Sequence, residues 1–133
     1  MKWLAIPTAL FLIGCQTISN YDAEAYKQVT ACKAEVLNVM SKAITPYADN
    51  SAEIERVSLT VAKAYEYDMG RTLNSTTIQM WDIIRDPNRS TSAGFFRLWK
   101  AKGTLSPGFI KQAKLVVGAA YDQLSGLESG KLR

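Results

Sequence analysis

Apolar side chains in this chain recur at three- and four-residue intervals, and proline and glycine residues divide the pattern into segments. One series runs through Val29, Cys32 and Val36, a spacing that places side chains on a single face of a helix. No segment shows the strict alternation of a half-buried strand, and there is no internal repeat. The pattern therefore predicts an all-α fold, a single helical bundle of about four main helices plus one short helix.

The first two helix boundaries are marked by proline and by a capping signal. We expect the first helix to run from Asp22 to about Thr45, because Pro46 cannot continue it. The segment Asn50-Ser51-Ala52-Glu53 resembles a capping box, in which Asn50 caps the helix and the glutamate reaches back three residues. The second helix is predicted to follow this box and to close near Gly70.

The middle of the chain contains shorter segments. A third helix is predicted to begin at Asn74 or Ser75 and to end before Pro87. The composition of residues 88–94 is typical of a loop. Residues 95–102 are predicted to form the short helix, which Gly103 terminates.

The last helix has the clearest start. Ser106-Pro107 is an N-cap followed by proline at the first helical position, and Gly126 is predicted to end the helix. The predicted organisation is a helical bundle domain at 22–126 and a flexible tail at 127–133, after an N-terminal segment of another kind.

That N-terminal segment has one charged residue near its start, followed by an apolar stretch. Lys2 is the single charge among the first 21 residues, and residues 3–13 form an uncharged apolar stretch that contains Pro7. At about 1.5 Å per residue the stretch spans about 16 Å, too little for about 30 Å of hydrocarbon. A charged start and a short apolar core are typical of a secretory signal peptide.

The end of the apolar stretch reads Leu12-Ile13-Gly14-Cys15 and resembles the lipobox of bacterial lipoproteins. The resemblance covers residues 1–15 and implies removal of a signal peptide at 1–14. It also implies lipidation of Cys15, with diacylglycerol on the thiol and a further acyl chain such as palmitate on the new amino terminus. Residues 15–21 would then be a lipidated tether. Gln16 stands where many such proteins carry an inner-membrane retention signal, Asp, so the expected location is the outer membrane, facing the periplasm.

Cys32 is the second of the two cysteines. It lies on the predicted apolar face of the first helix, which favours a buried thiol. An intermolecular disulfide is the alternative in an oxidising compartment.

Charge is unevenly distributed along the chain. Residues 15–68 contain eight acids and five bases, whereas residues 69–133 contain four acids and ten bases. Such a basic half can face an anionic surface or pair with an acidic partner. Export argues against nucleic acid as that partner.

The residues that most enzymes use are missing from the sequence. The chain has no histidine, which excludes His-dependent triads and imidazole metal ligands. It has no glycine-rich phosphate loop. Asp82 and Asp86 share a helix face. Each is followed three residues later by an arginine, Arg85 and Arg89 respectively, which favours ion pairing over paired-carboxylate catalysis. We expect no enzyme activity, catalytic residue, metal, cofactor or small-molecule substrate.

The segment 95–102 mixes aromatic and basic side chains as interfaces do. Phe95, Leu98 and Trp99 share one face and are expected in the core. The predicted partner contacts are Phe96, which falls off that face, and the interleaved basic residues Arg97, Lys100 and Lys102.

Three functions fit these features. The first is a lipid-anchored binding module that captures or escorts an envelope partner protein, similar in architecture and size to the pilotins that escort secretin subunits. The alternative is a phage- or plasmid-encoded envelope lipoprotein, for lysis as an outer spanin-like partner or for surface exclusion. A second alternative is a structural lipoprotein in contact with the cell wall.

Overall fold

A computed structural model describes residues 21–73 and 75–130. The helices in these ranges are α1 (Ala23–Met40), α2 (Tyr47–Met69), α3 (Ser75–Arg85), α4 (Ser92–Lys102) and α5 (Pro107–Glu128). No strand occurs in either range, so the predicted all-α bundle is confirmed. Among the helices described, none is both long and apolar enough to cross a membrane. The lipobox, Cys15 and the tether up to residue 20 lie outside the described residues.

Helix α1 lies at the centre of the bundle and packs against both α2 and α5. Lys33 on α1 forms an ion pair with Asp122 on α5. At the end of α1, the capping residue Ser41 accepts a hydrogen bond from Lys114 Nζ at 2.6 Å. Residue numbers therefore rise along α1 as they fall along α5, and the two helices are antiparallel.

The core is built around large aromatic side chains and the thiol of α1. Trp81, Trp99 and Tyr121 are fully buried. Cys32 is also fully buried, and its Sγ lies 3.8 Å from the Thr60 carbonyl oxygen. Burial raises the pKa of the Cys32 thiol to about 12, so the thiol stays protonated at neutral pH. The prediction of a buried thiol is confirmed.

The first helix boundaries differ from their predicted positions, and hydrogen bonds join this part of the chain to the end of α4. Tyr47 N–H donates to the Gly103 carbonyl at 2.8 Å, and Trp99 Nε1 donates to the Thr45 carbonyl at 3.0 Å. Helix α1 ends at Met40 and not at Thr45, and turns lead into Pro46. Helix α2 begins at Tyr47, before the predicted capping box. Asn50 lies inside α2, and its Nδ2 donates back to the Pro46 carbonyl at 2.9 Å.

The later boundaries agree better with prediction. Gly103, with φ of +83°, ends α4, and the Ser106 side chain accepts from Phe109 N–H at 3.3 Å to cap α5. Helix α4 begins at Ser92, so the predicted loop at 88–94 is too long.

The predicted tail is wrong at its start. Helix α5 continues past Gly126 to Glu128. Leu127 and Glu128 are 4% and 1% exposed, because both side chains pack into the end of the bundle. The residues from 131 onward lie outside the described part of the chain.

Candidate functional site

An open trough of about 660 Å³ runs between α4, α5 and the loop 87–91. The wall from α4 is formed by Gly94, Phe95, Leu98 and Ala101, together with Arg97. Residues 94, 98 and 101 recur at four and three residues, so they form one face of the helix. Phe95 is 4% exposed and makes part of the floor.

The wall from α5 uses a second apolar face beside the one that packs into the core. Ile110 and Val117 are buried, whereas Phe109 and Val116 are 43% and 51% exposed. Phe109, Val116 and Val117 all line the trough. The ring of Phe109 stacks on that of Phe95, with 6.2 Å between centroids. In each neighbouring apolar pair on α5, one residue is therefore buried and the other stands exposed in the trough.

The third wall is the loop between α3 and α4, which is hydrogen-bonded to the end of α3 and lies close against α4. Thr91 Oγ1 donates to the Ile83 carbonyl at 2.8 Å, and Asp86 Oδ1 accepts from Asn88 N–H at 2.8 Å. Gly94 allows the closest approach, since a Cβ atom there would lie 1.7 Å from the Arg89 carbonyl oxygen. A glycine is therefore required at 94 for the loop to form this wall.

The charge on the trough is positive. The charged residues that line it are Arg89 and Arg97. Arg97 donates to the amide oxygen of Asn88 through Nη1. Arg89 Nε lies 3.6 Å from Asp86 Oδ2 in an exposed pair, a geometry that contributes little. The trough thus combines an apolar floor with two guanidinium groups at its rim.

The four predicted contact residues do not share one surface. Arg97 lines the trough. Phe96 is half-buried, not exposed as expected, because it packs on the other side of α4 in a shallow depression with Val61 and Ile84. Lys100 is exposed, with its Nζ 6.0 Å from the centre of the Tyr47 ring. Lys102 is exposed at the end of α4. Cys15 lies outside the described residues.

A second polar feature lies at the other end of the bundle, around Arg71. Arg71 Nη1 donates to Asp68 Oδ1 at 2.7 Å and to Glu128 Oε2 at 2.6 Å. Its Nε lies 3.4 Å from Asp22 Oδ2. Trp81 Nε1 donates to the second oxygen of Asp68 at 2.6 Å. These residues, here called the Arg71 cluster, join the start of α1 to the ends of α2 and α5.

Protonation in the Arg71 cluster follows from its burial. Burial raises the pKa of Glu128 to about 8, the hydrogen bond with Asp68 acts in the same direction, and Arg71 opposes both. Glu128 Oε1 is buried and receives no hydrogen bond. When Glu128 carries a proton and donates it toward Asp68, the ionised acids that face the Arg71 guanidinium are Asp22 and Asp68. Without that proton, the single guanidinium would face three carboxylates. The pKa of Asp22 is lowered, first by the hydrogen bond from Ala25 N–H.

The two features lie apart along the bundle. The Arg71 cluster holds the start of α1, where the N-terminal segment joins the domain, against Glu128 at the end of α5. The trough uses α5 between Phe109 and Val117, so its near edge is about 16 Å from Glu128 along the helix axis. The trough therefore lies toward the end of α5 opposite to the start of α1.

Comparison of the chain with models of protein families, with curated proteins and with solved structures gives no match. The trough and the Arg71 cluster are therefore interpreted from their own chemistry.

Sequence reasoning missed most of the trough and the whole of the Arg71 cluster. One signal for the trough was present, because Phe109-Ile110 and Val116-Val117 are apolar doublets seven residues apart. A helix that packs one face needs only one member of each doublet. The Arg71 cluster left no such signal, since its members are spread along the chain from Asp22 to Glu128.

Proposed function

We propose that this protein is a lipid-anchored binding module of the outer membrane, facing the periplasm, that captures or escorts an envelope partner protein. The trough is the observation that supports capture most strongly. It is apolar at its floor, open to solvent, and rimmed by Arg89 and Arg97. Exposed apolar surface bordered by polar groups is typical of protein interaction sites.

The proposed address rests on the lipobox resemblance at residues 12–15. Two or more acyl chains hold a protein firmly, since each buried methylene contributes about 0.8 kcal/mol. Because α1 begins beside the Arg71 cluster, a domain anchored through the segment that precedes α1 would carry the trough on the half of α5 away from its attachment point. Such an arrangement suits capture of a partner in the periplasm.

Metabolic labelling with palmitate tests the anchor. We expect label on the wild-type chain and none on a Cys15→Ser variant, which should also remain unprocessed. A Cys32→Ser variant is the control and should keep its label, because Cys32 is buried in the domain. Label on Cys15→Ser would contradict the proposed anchor.

Two adjacent residues of α5 test the capture. Val116 lines the trough, whereas Leu115, which is 64% exposed, lies in a separate depression beside α1. The full chain would be isolated from solubilised membranes together with its bound proteins. We expect a defined envelope protein with the wild type and Leu115→Lys, and its loss with Val116→Lys. Equal recovery with both variants would contradict capture in the trough.

A further inference from the structure

We propose that the trough takes an amphipathic helix of the partner, which places apolar side chains at i, i+3 or i+4, and i+7 on the floor and a carboxylate against Arg97. This inference rests on the proposed function and names the kind of segment that the module captures.

The shape of the trough fits two turns of helix. Its α4 wall extends from Gly94 to Ala101, and its α5 wall from Phe109 to Val117. At about 1.5 Å per residue these walls are about 10 and 12 Å long. Apolar anchors at i and i+7 of a helical partner are separated by about 10.5 Å, which matches both walls.

The walls also leave room for a third helix. Ala101 and Ala113 line the trough, and their small side chains allow a close approach. Phe109 and Val116 stand up from α5, seven residues apart, and form a ridge that could fit between side chains of the incoming helix. The arrangement resembles the helix-in-groove mode of recognition.

An apolar small molecule fits the trough less well. Small-molecule sites bury about 70–90% of the ligand surface. Here Phe109 and Val116 are 43% and 51% exposed, and the loop residues Asn88, Arg89 and Ser90 are exposed as well. A ligand lying in this trough would keep one side in solvent, as the polar face of an amphipathic helix does.

The charge of the rim selects an acidic segment. In the ranges that the structure describes, no carboxylate lies within ion-pair distance of Arg97. Its hydrogen-bond partner, the Asn88 side chain, is neutral. Arg89 is held by Asp86 only across 3.6 Å. A carboxylate from the partner would form the charge-assisted bonds for which a guanidinium is suited.

A second copy of the chain is a poorer occupant. The exposed apolar side chains of Ile44 and Leu115 could in principle enter the trough of another copy. They lie beside Lys111 and Lys114, which would approach Arg89 and Arg97 with the same sign of charge. Such like-charge approach disfavours the contact.

A display library of random peptides tests the inference without knowledge of the natural partner. The peptides would have about 16 residues, just past the length at which an isolated helix can form. The full chain in phosphatidylethanolamine–phosphatidylglycerol nanodiscs would be the target, with empty nanodiscs for counterselection. We expect enrichment of apolar residues at i, i+3 or i+4, and i+7, with Asp or Glu on one flank.

Variants then assign the binding. Arg97→Glu should weaken the selected peptides about tenfold or more, and replacing the peptide carboxylate by lysine should restore binding to that variant. Lys63→Glu, an exposed change on α2, should leave the affinity unchanged.

Selected peptides that depend on Val116 but are neutral, basic or non-helical would overturn this inference and leave capture in the trough intact. If no selected peptide is sensitive to Val116→Lys, both proposals fail. Laurate would serve as a probe for a lipid site. If laurate binds the full chain in a way that Val116→Lys abolishes, and no selected peptide competes with it, the trough is a lipid site and the inference is likewise overturned.

Discussion

Asp68 and Glu128 are 60 residues apart in the sequence, yet both accept a hydrogen bond from the same nitrogen, Nη1 of Arg71, at 2.7 and 2.6 Å. Asp68 belongs to the last turn of α2, and Glu128 is the last residue of α5. Their side chains are 1% and 0% exposed. The end of the bundle where α1 begins is therefore closed by a buried network, whose protonation and charge balance can be tested separately.

The first prediction concerns the pH dependence of stability. The pKa of Glu128 is raised from 4.5 in its ordinary state to about 8 in the fold, so the folded protein holds this proton more tightly than the unfolded chain. The stabilisation is complete below about pH 4.5 and is lost as the pH rises toward about 8. Urea unfolding of Glu128→Gln, which cannot titrate, should show a smaller decline in this window than the wild type. Glu55→Gln, an exposed change, should retain the wild-type decline. Parallel pH profiles for all three proteins would contradict a protonated Glu128.

The second prediction concerns Arg71. Replacing it by methionine removes the cation from buried Asp68 and should lower the free energy of unfolding at neutral pH by about 3–5 kcal/mol. The control is Arg56→Met, which breaks an exposed pair with Glu35 at 3.5 Å and should cost at most about 1 kcal/mol. Both values come from urea unfolding of the full chain. Similar losses for the two variants would show that the Arg71 cluster has no special weight.

The third prediction compares two glycines. A Cβ at Gly94 would lie 1.7 Å from the Arg89 carbonyl oxygen, whereas a Cβ at Gly108 would have no neighbour within 4 Å. Gly94→Ala must displace the loop and should cost about 1–3 kcal/mol, while Gly108→Ala should be neutral or stabilising by up to about 1 kcal/mol. Amide hydrogen exchange should show faster exchange in residues 88–91 for Gly94→Ala alone. Unchanged exchange there would contradict a loop wall held by close contact with α4.

The fourth prediction separates two phenylalanines. Phe96 is half-buried and packs edge-on against Phe95, with ring centroids 6.0 Å apart, whereas Phe109 stands 43% exposed in the trough. Phe96→Ala should lower the free energy of unfolding by about 2 kcal/mol, somewhat below the cost of a fully buried phenylalanine, and leave peptide affinity unchanged. Phe109→Ala should cost less stability and weaken the peptides. The reverse pattern would place the contact surface at Phe96.

The fold was predictable where local chemistry decides it. The three-and-four spacing, the Ser106-Pro107 start and Gly103 at the end of α4 all specify structure from neighbouring residues, and these predictions are confirmed. The start of α2 was wrong because Tyr47 N–H bonds to the Gly103 carbonyl, a residue far along the chain. A capping box is a pattern of four neighbouring residues, so it cannot predict a contact with a distant part of the chain.

The candidate site was predictable only in part for the same reason. Arg97 was identified from its aromatic and basic surroundings, and it lines the trough. Val116 was not identified, because only the packing of α5 against its neighbours determines which member of Val116-Val117 faces outward. Phe96 was expected to be exposed because it falls off the apolar face of α4. The spacing within α4 does not reveal that α2 and α3 lie against this second side of the helix.

The most direct test of the central claim is site-specific photo-crosslinking in cells. A photoreactive phenylalanine would replace Gln112, which lines the trough, or its neighbour Lys111, which lies in the depression beside α1. Both positions are exposed and one residue apart, so expression and stability should match. We predict a covalent adduct with one defined envelope protein from position 112, none from position 111, and loss of the adduct when Val116→Lys is added. Equal adducts from both positions, or an adduct at 112 that Val116→Lys leaves unchanged, would contradict partner capture in the trough.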